Sequence, residues 1–314
     1  KELDAIDPSI LMYREGWTGG GTPLKSDQAA IKQNIIKFEK SQIAAFSDDT
    51  RDGVKGHVFN INERGYINGR EGLEDTIKFC IVGATGQLGI NYDRVIYSHW
   101  SWANEPYQCI NYISAHDNYT LWDKLTMSNR EDSIEKRKSM NKLAAAIVLT
   151  SQGIPFFQAG EEFLRSKKND DGSFNHDSYN APDKVNGLDW NRAYDYRDIV
   201  EYYRGLIKLR KKYRAFRMNS SEEIRKNLSF LNKGESFYKD NVVAYKIEDN
   251  SGRNLCNTIV VIFNPNDEET FIDLKECGWS VLVNKEKAGV EEIYSIEGNN
   301  ITVPSKCAHV LIKK

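Results

Sequence analysis

The chain has 314 residues, a formal net charge of −2, 40% hydrophobic and 28% charged residues. That composition is globular, with material for one large domain or two ordinary ones. The charge balance offers no basic field for nucleic acid and no polybasic patch for a membrane surface, and no apolar run approaches the ~20 residues of a membrane span.

In chain order, KELDAIDPS (1–9) reads as the tail of a helix running into a strand. With no initiator Met, charged n-region or apolar h-region, the start reads as a cut inside a longer protein. SILMY (9–13) is a short apolar strand ending at Glu15, followed by a loop rich in Gly and Thr. Asp27 opens an expected helix over 27–42, with Ala30, Ile31, Asn34, Ile35 and Phe38 near helical spacing. IAAFSDD (43–49) is a second strand ending in acids, followed by a loop carrying Gly53, Gly56, Gly65 and Gly69. A helix is expected over 71–83, a third strand over 109–118 (CINYISAHDN), and a long helix over 133–153 closed by Gly153. IPFFQAGEE (154–162) is a fourth strand and 197–213 a further helix.

These strands are almost wholly apolar, as in a parallel sheet covered on both faces. Their polar residues gather at C-terminal ends: Glu15, Asp48 and Asp49, His116 and Asp117, Glu161 and Glu162. A β/α barrel keeps its active site there. The expected fold class is therefore α/β: residues 1–220 as the C-terminal half of a catalytic (β/α)8 TIM barrel, with the other half of the same barrel as its partner. Residues 221–314 change character. Strands expected at 242–249, 257–267, 269–274, 279–284 and 301–314, separated by Asn, Gly and Pro turns, read as an antiparallel β-sandwich domain packed directly on the barrel half.

The five cysteines (Cys80, Cys109, Cys256, Cys277, Cys307) form no CxxC or Cys/His ligand spacing and read as small buried side chains. Their odd, sparse number leans toward a reducing, cytoplasmic compartment. No cofactor is implied. Calcium is the alternative through Asp48, Asp49, Asp170 and Asp171, against their reading as turn or loop acids. GATGQLG (83–89) lacks the strand and acidic partner of a dinucleotide fingerprint.

Glu15 and Asp117 at strand ends suit acid–base work on an acetal, where one carboxyl protonates a leaving oxygen while others stay ionised. Trp17, Tyr119 and Trp122 offer rings for stacking on sugars, and His116, Asn118 and Asn180 offer hydrogen-bonding groups.

Several stretches carry a resemblance. YREGWTGG is similar to the GEGW stretch bearing the general acid of type I pullulanases, debranching members of the alpha-amylase superfamily. IAAFSDDTRDGVKG resembles that family's next strand and loop, NYISAHDNYTLWD its His-Asp segment, GIPFFQAGEEFLRSK its last barrel strand, and SYNAPDKVNGLDWNR a substrate-loop signature. The resemblance covers most of 1–220. It implies a retaining hydrolase of α-1,6 branch linkages acting on an α-glucan, with Glu15 as general acid/base and Asp117 as transition-state stabiliser. It also implies that His116 hydrogen-bonds the sugar, that Trp17 and Asn118 line the site, and that Asn180 and Asp183 contact substrate. Arg51 either reaches substrate or is a salt-bridged loop arginine. The family's nucleophile, an aspartate in a GFRFD-type motif on the preceding strand, has no counterpart in this chain, so the fragment alone is expected to be inactive. Arg14 stands where the family has Gly, and no role for it follows from the sequence. Two other readings stay open: a non-catalytic α-glucan-binding fragment and an α-1,4-acting amylase relative.

Overall fold

The computed structural model of the protein describes residues 2–7, 10–37, 42–248 and 258–313. Phe38 and Cys256, with Ser9, Asp249, Asn257 and Lys314 at the ends of expected strands, lie outside the described residues. A short helix α1 (Glu2–Ile6) leads into β1 (Met12–Arg14). With β2 (Ile43–Phe46), β3 (Cys109–Tyr112) and β4 (Ile154–Phe156) it forms a parallel sheet in chain order.

Parallel neighbours need crossover segments, and helices fill them. Helices α2 (Asp48–Lys55) and α3 (Glu74–Ile81) lie between β2 and β3. Helices α4 (Leu121–Ser128) and α5 (Ile134–Thr150) lie between β3 and β4. After β4 come α6 (Asp183–Asn186), α7 (Asn191–Asp195) and α8 (Arg197–Lys212). Side-chain caps set several starts. The Ser47, Thr120 and Ser133 side chains accept from Thr50 N (3.2 Å), Asp123 N (3.1 Å) and Lys136 N (3.2 Å).

Several local expectations change. Where a helix is expected over 27–42, residues 27–37 form a turn followed by a 3-10 helix, Lys32–Lys37. Asn34 Nδ2 donates to Ser26 O and Ala29 O, both at 2.8 Å, and Lys32 N donates to Gly16 O at 2.7 Å, so local and tertiary partners take the groups an α-helix would use. The loop expected after β2 begins instead with α2, because Ser47 caps it and Asp48 and Asp49 sit favourably in its first turn. Gly53 lies inside that helix, where a Cβ would stand 2.5 Å from Thr76 Cγ2 of α3. The third strand ends at Tyr112, well short of Asn118.

A short helix α9 (Ser221–Asn227) leads into antiparallel strands β5 (Leu228–Phe230), β6 (Val243–Glu248), β7 (Thr258–Asn264), β8 (Thr270–Asp273), β9 (Trp279–Val283), β10 (Tyr294–Ile296), β11 (Asn300–Val303) and β12 (Cys307–Lys313). Six form one sheet, in the order β10-β9-β12-β7-β6-β5, and β11 pairs with β8 in a separate ribbon. The strand expected over 301–314 is therefore two strands in two sheets, with Pro304 between them.

The period of two along a strand divides the core. Tyr245, Val261, Phe263 and Val310 join the cluster that holds Leu143, Ile147 and Leu206 of the helices. Ala244, Val260, Ile262 and Leu311 face a second cluster with Ile272, Trp279 and Ile301. The six-stranded sheet thus lies between the helices and the two-stranded ribbon. Cys80, Cys109 and Cys307 are buried, whereas Cys277 is exposed, unlike its expected place. Among the described residues no helix is long and apolar enough to cross a membrane.

Candidate active site

Because β1 to β4 are parallel, their C-terminal ends share one edge of the sheet. Glu15 follows β1 directly. Gly16 turns the chain there with φ +90°, a conformation that favours glycine, and a Cβ would stand 3.0 Å from Ala45 Cβ. The Lys32 N–H to Gly16 O bond pins this turn. The Glu15 carboxylate is exposed and makes no hydrogen bond or ion pair among the described residues. Next to it, Arg14 Nη2 donates to Ile31 O at 3.4 Å.

Trp17 is 38% exposed, and the Arg51 guanidinium lies 5.9 Å from its ring centroid. Arg51 sits in α2, not in a loop, and grips Asp52 with two bonds, Nε to Oδ1 at 2.6 Å and Nη2 to Oδ2 at 3.0 Å. Its Nη1 donates to Tyr112 OH of β3 at 3.1 Å. Burial opposes the Arg51 charge, but the Asp52 hydrogen bonds and nearby negative groups outweigh it and raise the pKa. Arg51 therefore links Trp17 after β1 to Tyr112 of β3.

Beyond β3 the chain bends through Ser114 to Asn118, whose φ of +63° is left-handed, a region asparagine tolerates. His116 Nε2 lies 3.4 Å from Asp117 Oδ1, and their side chains are 78% and 61% exposed. Tyr119 meets His176 edge-on, with ring centroids 5.5 Å apart. Trp122, expected beside the site, packs instead on the hydrophobic core, with Arg137 5.8 Å from its ring. Asn180 and Asp183 are exposed on the segment around α6. Asn186 Nδ2 secures that segment by donating to Ser178 O (2.5 Å) and Ala181 O (3.1 Å).

Sequence reasoning missed the lysines beneath this edge. Lys55, Lys124 and Lys167 are nearly or fully buried. Lys55 Nζ donates to Tyr119 O at 3.1 Å, and Lys167 Nζ donates to His116 O at 2.9 Å. Burial pushes Lys55 down to about 7, with Arg51 adding to the effect, and Lys124 down to about 8. Glu161 is buried and pushed up to about 7 by desolvation, and Tyr203 OH donates to its Oε1 at 3.2 Å. A lysine in sequence gives no sign of being buried, so only the fold could reveal this layer.

The acids considered for calcium have other partners. Lys32 ion-pairs with Asp48 and, at 2.9 Å, with Asp49, which also accepts Ser98 Oγ at 2.6 Å. Asp170 pairs with Lys184, and Asp171 accepts Ser173 N at 2.9 Å. Among the described residues, no three or more His, Cys, Asp or Glu side chains are grouped to hold a metal.

Residues 224–287 match the family model described as "Pullulanase, all-beta domain". The chain is 33% identical over 255 residues to the pullulanase of Bacillus subtilis (strain 168), a match covering 81% of this chain and 32% of that protein. The chain thus spans about a third of that relative's length. Its fold is similar to a pullulanase from Bacillus acidopullulyticus, with TM-score 0.87 and 34% identity over 99% of this chain and 35% of the other. It is also similar to a pullulanase from Paenibacillus barengoltzii in complex with maltohexaose and alpha-cyclodextrin, with TM-score 0.83 and 38% identity over 99% and 44%.

Proposed function

We propose that this chain, similar in sequence and fold to pullulanases, is the C-terminal portion of a type I pullulanase and supplies two of three catalytic carboxylates to a retaining hydrolase of α-1,6 branch linkages in pullulan, glycogen or starch-derived dextrins. The single observation carrying this reading is the placement of Glu15 and the His116–Asp117–Asn118 turn beyond the C-terminal ends of β1 and β3 in one parallel sheet. On this reading the parallel layer is the C-terminal half of a (β/α)8 barrel. The N-terminal half supplies the nucleophilic aspartate.

In the first step the aspartate attacks the anomeric carbon while Glu15 protonates the departing oxygen. Water then resolves the glycosyl-enzyme with Glu15 as base, which requires nucleophile and Glu15 carboxyls ~5 Å apart. Asp117 stabilises the oxocarbenium-like centre and His116 hydrogen-bonds the sugar in that subsite. Trp17, held against Arg51, offers a ring to the glucan. The solvent-open carboxylates of Glu15 and Asp117 support these roles, since neither is consumed by an internal ion pair with a lysine or arginine among the described residues.

The test is Glu15→Gln and Asp117→Asn in the full-length parent enzyme, assayed on pullulan. Loss of an acid–base catalyst costs about 10²- to 10⁴-fold and loss of an electrostatic stabiliser about 10²- to 10³-fold, and losses of those orders are expected for Glu15→Gln and Asp117→Asn respectively. Near-normal turnover by either would overturn its assigned role. Comparison of products from pullulan and amylose separates α-1,6 from α-1,4 cleavage.

A further inference from the structure

Lys167 is 2% exposed, in the segment between β4 and α6. Its ammonium donates to His116 O at 2.9 Å and to Ser178 Oγ at 2.6 Å. Ser178, also 2% exposed, opens the segment that carries Asn180 and Asp183. The Lys167 backbone is fixed too, since its N–H donates to Asp123 Oδ2 at 2.8 Å. Asp123, fully buried in α4, also accepts Ser166 Oγ at 2.5 Å.

A buried ammonium is costly, and both of its bonds described here run to neutral oxygens. Burial lowers its pKa, Arg165 adds to that, and Asp123 and Asp117 oppose it. A hydrophobic side chain of similar length could fill the volume without this desolvation cost. The charge does what methylene groups cannot, because it binds two segments far apart in sequence. Lys55 holds the other end of the same turn through Tyr119 O, so the carbonyls of residues 116 and 119 are both fastened from below. Asp117 and Asn118 lie between these two anchored carbonyls.

We propose that Lys167 is a positioning residue that locks the His116–Asn118 turn to the Ser178–Asp183 segment, making them one rigid substrate-facing unit. This inference rests on the catalytic reading of Asp117 above. The turn would act on the sugar at the scissile bond, and the segment would contact substrate beside it. Loosening their common anchor therefore affects turnover and binding together. An error of about 1 Å in such a site costs on the order of 10²-fold.

The test uses Lys167→Met, Ser178→Ala, the double variant and Asp117→Asn in the full-length enzyme, with kcat and KM on pullulan and the melting temperature of each. Lys167→Met should lower kcat by about 10- to 100-fold and raise KM several-fold. Ser178→Ala should raise KM by less, and should add almost nothing in the double variant. A smaller folded fraction lowers apparent kcat but leaves KM unmoved, so an unchanged KM in folded Lys167→Met overturns the proposal. So does full additivity in the double variant. If Lys167→Met does not fold, Ser178→Ala decides alone, and an unchanged KM there refutes the lock. Asp117→Asn separates the two levels. Its retained activity would sink the catalytic reading, whereas its loss beside a normal Lys167→Met would sink only the lock.

Discussion

Glu161 shows how much a single side chain can report on its surroundings. It follows β4 with the acids that sequence reading placed at the sheet's C-terminal edge, yet it is 5% exposed and points into the protein toward Tyr203. Desolvation raises its pKa from 4.5 to about 7, against the opposing pull of Lys55. Between those two values the folded state holds a proton that the unfolded state has released. Stability contributed by the neutral acid is therefore complete below about 4.5 and is lost as pH rises toward 7. Lys55 acts in a different window. Its pKa falls from 10.5 to about 7, so its effect lies above 7, where stability returns as pH rises. Glu161→Gln should flatten the acid-side slope. Denaturant unfolding of wild type and variant, followed from about pH 4.5 to 7, should show the wild type losing stability relative to the variant. A constant difference across that range would show that Glu161 does not titrate there.

Among the elements, α8 carries the contact most at odds with local propensity. Alanine normally exceeds glycine in a helix by about 1 kcal/mol. At Gly205, however, a Cβ would stand 1.8 Å from Ala288 O in the chain after β9, so helix and strand layer meet backbone to backbone. Gly205→Ala should therefore destabilise, by about 1–3 kcal/mol as overpacking does, and lower the melting temperature by several degrees. An unchanged or higher Tm would mean that the segment near Ala288 yields freely. Their length, and for α5 the closing Gly153, made α5 and α8 legible in the sequence, and apolar runs bounded by turns marked β6, β7 and β9. The short helices α4 and α9, of eight and seven residues, were not read from the sequence. The site divides along the same line. Glu15, Trp17 and the His116–Asn118 turn could be singled out as candidates because acids, a histidine and aromatics stand at strand ends in the sequence. Lys55 and Lys167 were not, because their role comes from burial and from carbonyls more than 50 residues away in sequence.

At the scale of the whole molecule, the two faces of the parallel sheet differ among the described residues. Asn111 of β3 donates to Cys80 O of α3 at 3.0 Å, tying one face to the helices. The opposite face carries one aromatic ring from each strand. Tyr13, Phe46, Tyr112 and Phe156 meet edge-on, with centroids 5.8, 4.9 and 5.3 Å apart for Tyr13–Phe46, Phe46–Tyr112 and Phe46–Phe156. Tyr13, at the β1 edge, is 62% exposed. By the β4 edge lies a cavity of about 610 Å³ whose lining includes Leu149, Ile154, Pro155, Phe157 and Ile207. Neither edge strand has a second strand partner among the described residues. Parallel strands are ordinarily covered on both faces, and open apolar edges recruit whatever strand is near. If the covering layer is the other half of a barrel, the purified chain should self-associate and should not turn over pullulan. Mixing it with a separately produced N-terminal half should give a discrete one-to-one complex in sedimentation and recover hydrolysis. Asp117→Asn in this chain should then abolish the recovered activity without preventing the complex, since Asp117 is solvent-exposed and lies outside the edge strands β1 and β4. A monomeric chain that hydrolyses pullulan unaided would refute both the missing layer and the missing nucleophile.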